Sequence, residues 1–234
     1  MKQHITALLL AALAATTATA QTESTDAQEP PPPASLAELA SHSDLVAVVQ
    51  VADTDYVYAR GFPTGGTAFL RVLIRWRVTD PVGDLVRVYD EGLHPAECYF
   101  QNPDVDEEGR RHLLFARDNP DVADQFLGLP HGCALDILVT AGNGYALRYP
   151  PADIELTDDL AALARPMQFA DPYAVVEDDE LAIAERDALL EGGWLEQQED
   201  GRYRFTHGIP LVDIRPLLGE ENLTRDRSLL RPAD

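Results

Sequence analysis

A mainly β fold, a small antiparallel barrel or sandwich with one short helix ahead of it, is what this 234-residue chain predicts. Three observations carry the prediction. Apolar residues recur with a period of two in short runs between Leu45 and Tyr149. Gly, Pro and Asn-Gly punctuate those runs. No crossover helices separate them, which disfavours a parallel α/β sheet.

The first segment is read as an export signal: Lys2 as the basic start, an apolar run from Ile5 to Ala15, and small residues Ala18 and Ala20 where a signal peptidase reads. Cleavage after Ala20 leaves Gln21 first. The apolar run is shorter than the roughly 20 residues that span a bilayer, and no cysteine stands near the cleavage point to carry a lipid. The expectation is a periplasmic or secreted protein with no membrane insertion after cleavage. Residues 21–34, polar and then Pro30–Pro33, read as a flexible Pro-rich linker.

Order is expected from Ser35. Ser35 and Glu38 have the Ser-x-x-Glu spacing of a capping box, and Leu36, Leu39 and Ala40 give the short helix an apolar side. Leu45 to Ala52 is apolar on both faces, as a central strand would be. Gly61 to Gly66 reads as a turn region. It leads into a long strand, Phe69 to Val78, in which Leu70, Val72, Ile74, Trp76 and Val78 are expected on one face. Further strands follow at Leu85–Tyr89, His112–Ala116, Cys133–Thr140 and Tyr145–Tyr149, the last two joined by a Gly142-Asn143-Gly144 turn. Residues 35–150 are thus one β domain.

Residues 151–234 read as an α+β appendage packed on that domain. It holds a helical turn at Leu160–Leu163 and a helix with Leu181, Ala184, Ala188 and Leu189 on one stripe. A hairpin around Asp200-Gly201 and a last helix at Leu211–Leu218 complete it.

Lys2 is the only lysine, so the exported chain carries 17 arginines against 40 acidic side chains, a net charge of −23. Nucleic acid and anionic membrane surfaces would repel it. Cys98 and Cys133 lie 35 residues apart, outside any Cys-x-x-Cys arrangement, and two cysteines are too few for a zinc site. They are expected to form a structural disulfide. Asp104, Asp106, Glu108 and Gly109 imitate the opening of a calcium loop, but its twelfth position is Phe115, inside a strand; a solvated acidic loop is expected.

The histidines, at positions 4, 42, 94, 112, 131 and 207, form no His-x-x-x-His pattern, and His112 reads as a half-exposed packing residue. No Gly-x-Ser-x-Gly elbow and no phosphate-binding loop occurs. Asn222-Leu223-Thr224 has the form of a glycosylation triplet, a pattern that arises often by chance. No catalytic residue, cofactor or metal site is assigned.

Ser43-Asp44 followed by Leu-Val-Ala-Val-Val, the strand Phe69–Val78, Leu85–Tyr89, Cys98-Tyr99-Phe100, the run Gly109 to Ala116 and Gly132-Cys133 follow one another in an order that resembles bacterial netrin-like proteins, which share the fold of tissue inhibitors of metalloproteinases. The resemblance implies a five-stranded OB-type barrel with flanking helices over about residues 35–150. The animal inhibitors chelate protease zinc through a free amino-terminal cysteine. A chain expected to begin at Gln21 has none, so that mechanism is not carried over.

The function expected is a non-enzymatic, exported binding module for an unknown protein or envelope partner. The alternative is a protease inhibitor acting through the edge loops 61–66 or 101–110. An envelope hydrolase with a site assembled from dispersed residues ranks third.

Overall fold

The computed structural model describes residues 32–224, apart from 81, 94–97, 105 and 153. The expected signal, 1–20, and the linker up to residue 31 lie outside the described residues. The linker's last residues are held in place. The Pro32 carbonyl is 2.9 Å from His131 Nδ1, and buried Ala34 bridges Leu156. Helix α1 (Leu36–Ser41) begins with the capping box: Glu38 N–H donates to Ser35 Oγ at 3.1 Å and Ser35 N–H donates to the Glu38 carboxylate at 2.9 Å. Its Leu36, Leu39 and Ala40 are buried.

Five strands close an OB-type barrel: β1 (Leu45–Ala59), β2 (Phe62–Val78), β3 (Leu85–Glu91), β4 (Arg111–Asp118) and β5 (Gln125–Gly128). Around it the order is β1-β2-β3-β5-β4, with β4 returning to β1 through Leu45↔Ala116 to Gln50↔Arg111. Every pair is antiparallel except β3 and β5, which run parallel. The closing strand β5 is not among the expected strands, because Gln-Phe-Leu-Gly is too short to show a period. Conversely, β6 (Ala134–Val139) and β7 (Tyr145–Tyr149) do not close the barrel; they extend the sheet outward from β4.

The sheet continues past residue 150. Beyond it come β8 (Arg165–Pro166), β9 (Val175–Val176), α2 (Ile183–Glu191), β10 (Leu195–Gln197), β11 (Tyr203–Phe205), β12 (His207–Pro210) and α3 (Leu211–Ile214). Strand β12 pairs with β7 and β8, while β9, β10 and β11 form a small separate sheet. The hairpin expected around Asp200-Gly201 is β10–β11. The stripe expected on α2 is not buried as drawn: Leu189 is, whereas Ala184 and Ala188 are exposed.

Three apolar layers result. The barrel interior takes Leu45, Ala47, Val49 and Val51 of β1 with residues from the other four strands. A second layer lies outside the barrel, where Val46 and Val48 meet Leu113, Phe115, α1, Ile209 and Ile214. A third fills the space between β6–β7 and the small sheet, around Leu138, Ala146 and Phe205. Strand β1 is apolar on both faces because one faces each of the first two layers. Each fully buried Val, Leu or Phe contributes about 1.5–3 kcal/mol.

The single face expected for β2 is split. Register shifts against β1 fall between Val46 and Ala47 and between Val48 and Val49, which leaves Trp76 and Leu73 as extra residues in the ladder. A bulge of one residue moves everything beyond it to the opposite face. Leu70, Val72 and Val78 therefore line the barrel interior, while Trp76 packs in the outer layer and partly buried Ile74 lies against it.

Candidate functional site

Strand β1 keeps its β4 partner only as far as Gln50, and β2 keeps β3 only as far as Gly65. Beyond those points the two strands project as a ribbon. Ala59↔Phe62 closes it over a two-residue turn, Arg60-Gly61, with φ of 54° and 87°. Both positive angles are what a turn matched to strand twist requires. Gly66, with φ 134°, lies inside β2; a Cβ there would collide with the Asp55 carbonyl oxygen. The segment 61–66 expected as an edge loop is thus mostly strand.

The ribbon's end is apolar and uncovered. Val57 is 68 % exposed, Tyr58 58 % and Phe62 64 %, and Leu93, following β3, is 62 % exposed. Gly92 N–H donates to the Thr64 carbonyl at 3.1 Å, which holds the chain next to Leu93 against the ribbon. The carboxylates of Asp53, Asp55 and Glu91 stand exposed on these same strands.

The connection from β3 to β4 braces the ribbon. Phe100 N–H donates to the Tyr56 hydroxyl at 3.0 Å, Thr54 N–H donates to Asn102 Oδ1 at 3.0 Å, and the Tyr56 and Tyr99 rings meet edge to face at 5.1 Å. Burial pushes the Tyr56 hydroxyl above the ordinary tyrosine range, against the opposing pull of the Phe100 N–H. It therefore stays protonated and acts as a fixed brace.

The disulfide anchors this connection from below. Cys98 and Cys133 are bonded, S–S 2.00 Å, with both residues buried in the barrel-interior layer beside Phe100 and Phe126. The Asp90 carboxylate accepts from Cys98 N–H, and Phe115 N–H donates to the Cys133 carbonyl at 2.7 Å. The expected sulfur bridge thus pins the ribbon's brace to the strand that follows β5. Of the two edge segments singled out from the sequence, 61–66 and the start of 101–110 come together at this end of the barrel.

The acidic loop goes elsewhere. The Glu108 carboxylate pairs with Arg111, and its carbonyl accepts from the Tyr173 hydroxyl at 2.8 Å. Among the described residues no group of three or more His, Cys, Asp or Glu side chains is placed to hold a metal ion. The Asn222 amide is also engaged, donating to the carbonyls of Leu218 at 2.8 Å and Ala37 at 3.2 Å.

A buried charged cluster beside the site escaped the sequence. His112, expected half-exposed, is buried; its Nδ1 is 3.2 Å from Asp136 Oδ1, and Arg148 is 3.2 Å from Asp136 Oδ2. Burial alone would raise the Asp136 carboxyl, but the His112 hydrogen bond and the Arg148 charge hold it below the ordinary carboxylate range. The Arg148 guanidinium lies 4.7 Å from the Phe205 ring centroid. Nearby, Arg111 reaches Asp171 at 3.5 Å, and the Asp171 carboxylate accepts from Val139 N–H at 2.9 Å. The cluster fastens the barrel-side sheet to β11. The available signal was the alternation of β4 and β6, which points His112 and Asp136 to one side.

Comparison of the chain with protein-family models, with curated proteins and with solved structures finds no match. The disulfide fits a protein of an oxidising compartment outside the cytoplasm. Among the described residues no helix is long and apolar enough to cross a membrane.

Proposed function

We propose that this chain is an exported, non-enzymatic binding protein whose netrin-like OB-type barrel presents the β1–β2 ribbon tip to a protein partner in the periplasm or outside the cell. Export is assigned to the signal cleaved after Ala20. The single observation behind the reading is the uncovered apolar tip, Val57, Tyr58 and Phe62, on a ribbon braced by the disulfide-anchored connection. Large apolar side chains gathered at one projecting point leave water only when a partner covers them. Tyrosine is among the residues enriched at the few positions that dominate binding energy at the centres of protein interfaces. The carboxylates of Asp53, Asp55 and Glu91 around them suit a partner with an apolar pocket and a basic rim.

The test is capture from envelope extract by the parent and by a Val57→Ser/Tyr58→Ser/Phe62→Ser variant, followed by titration of the captured protein in purified form. Affinity should fall at least about a hundredfold in the variant, as loss of central anchors does. A partner bound equally by both proteins would remove the ribbon tip from the interface. The second reading, inhibition of a protease by the same tip, is favoured by its wedge-like projection. Assay against metallo- and serine proteases tests it, and a lack of inhibition discards it.

A further inference from the structure

At the barrel end opposite the ribbon tip, the β2–β3 and β4–β5 connections enclose a cleft of about 540 Å³. Its floor is apolar: Val82, Leu85, Val86, Val122 and Phe126 line it, and Leu85 and Val122 are exposed. Its rim is acidic, with Asp80, Asp118 and Asp124. Among the described residues no arginine forms an ion pair with these three carboxylates. Arg87 lies beside them but donates to the carbonyls of Ala123 at 3.0 Å and Asp124 at 3.1 Å. Burial, and then the carboxylates of Asp44 and Asp80, raise the Asp118 carboxyl above its ordinary range. A cation brought here would relieve that repulsion.

The chain itself carries a segment of matching chemistry, and the last described residue before it lies close to this point. Thr224 is fixed on the free edge of β2: its N–H donates to the Trp76 carbonyl at 2.9 Å, and its hydroxyl oxygen accepts from Val78 N–H at 2.9 Å. Asp80 is two residues beyond Val78. An extended chain advances about 3.3–3.6 Å per residue, so a segment tethered at Thr224 needs no spanning linker to come within range of the rim. Those residues are Arg225-Asp-Arg-Ser-Leu-Leu-Arg-Pro-Ala-Asp234, three arginines around a Leu-Leu pair.

We propose that the C-terminal segment Arg225–Asp234 docks in this cleft, its arginines on the carboxylate rim and Leu229 and Leu230 on the apolar floor. Tethering at Thr224 gives the segment a high effective concentration at the cleft, so a weak contact suffices for occupancy. The proposal concerns the opposite end of the barrel from the ribbon tip and stands independently of it. Its consequence is that the cleft's own ligand chemistry, arginines flanking a pair of leucines, is already supplied in cis.

Hydrogen exchange on the full chain tests this. In the parent, amides of residues 225–231 should exchange about tenfold slower or more than in the free ten-residue peptide. In an Arg225→Glu/Arg227→Glu/Arg231→Glu variant that protection should vanish, and amides of residues 82–86 and 119–126 should exchange faster. An Asp80→Asn/Asp124→Asn variant should release the tail amides from the other side of the contact. Free-peptide rates in the parent would overturn the proposal, as would protection that survives charge reversal. Protection lost on dilution would overturn it too, by assigning the cleft to the tail of a second copy.

Discussion

Asp136 is a buried charge that the fold holds with two partners. It is held by His112 and Arg148 between β4, β6 and β7, and removing its charge strands the buried Arg148. Asp136→Asn should lower stability at neutral pH by about 3 kcal/mol, the lower end of the range for breaking a buried pair because its side chain keeps some solvent contact. Its folded-state pKa lies below the ordinary carboxylate value. Its contribution is therefore complete above about pH 4 and is lost as pH falls below that value. Denaturant midpoints of parent and variant should converge as the pH drops from about 4; a gap independent of pH would refute the ionic origin. Gly128 is a second sensitive position. A Cβ there would sit 3.0 Å from Cys98 Cβ and 3.1 Å from Cys133 Cβ, so Gly128→Ala should cost about 1–3 kcal/mol by overpacking. Thermal unfolding measures it, and an unchanged midpoint would mean that the bridge yields freely. Neither position was legible in the sequence, since each owes its role to neighbours brought from distant strands.

Among the elements, the ribbon and β5 show opposite relations between length and importance. The ribbon is made of the two longest strands, yet its tip touches little else. The Val57→Ser/Tyr58→Ser/Phe62→Ser variant should unfold within about 0.5 kcal/mol of the parent, as exposed substitutions do. A larger loss would show that the tip is packed and disqualify it as a free binding surface. Strand β5 has four residues but closes the barrel, joining β3 to β4. Phe126, buried in the interior, is its anchor, and Phe126→Ala should cost about 3–5 kcal/mol by cavity formation. Chemical denaturation decides that, and a cost under about 1 kcal/mol would mean that closure does not rest on β5. Sequence periodicity found the helix cap, the central strand and the Asn-Gly turn, all features of a few adjacent residues. It lost the face of β2 at Leu73 and Trp76, where bulges dictated by pairing with β1 reverse the alternation.

For the molecule as a whole, the continuous sheet binds the barrel to residues beyond 150 through β7, β12 and β8, while the disulfide ties together the barrel's own connections. The bridge closes a loop of 35 residues in sequence separation, which in the chain-entropy account stabilises the fold by about 3.5–4 kcal/mol. Thiol titration of the denatured, unreduced protein should find no free thiol, and Cys98→Ser/Cys133→Ser should lose stability of that order. By itself the sequence determined what depends on neighbouring residues: the β class, the capped helix, the turns and the acidic surface. It also supplied the one cysteine pair available for bonding. Tertiary structure alone decided which strand closes the barrel, which face of β2 is inside, that His112 meets Asp136, and that an apolar ribbon tip and an acidic cleft lie at opposite ends. Those outcomes are contacts between residues far apart in the chain, and spacing along a strand records which way a side chain points without recording what it will find there.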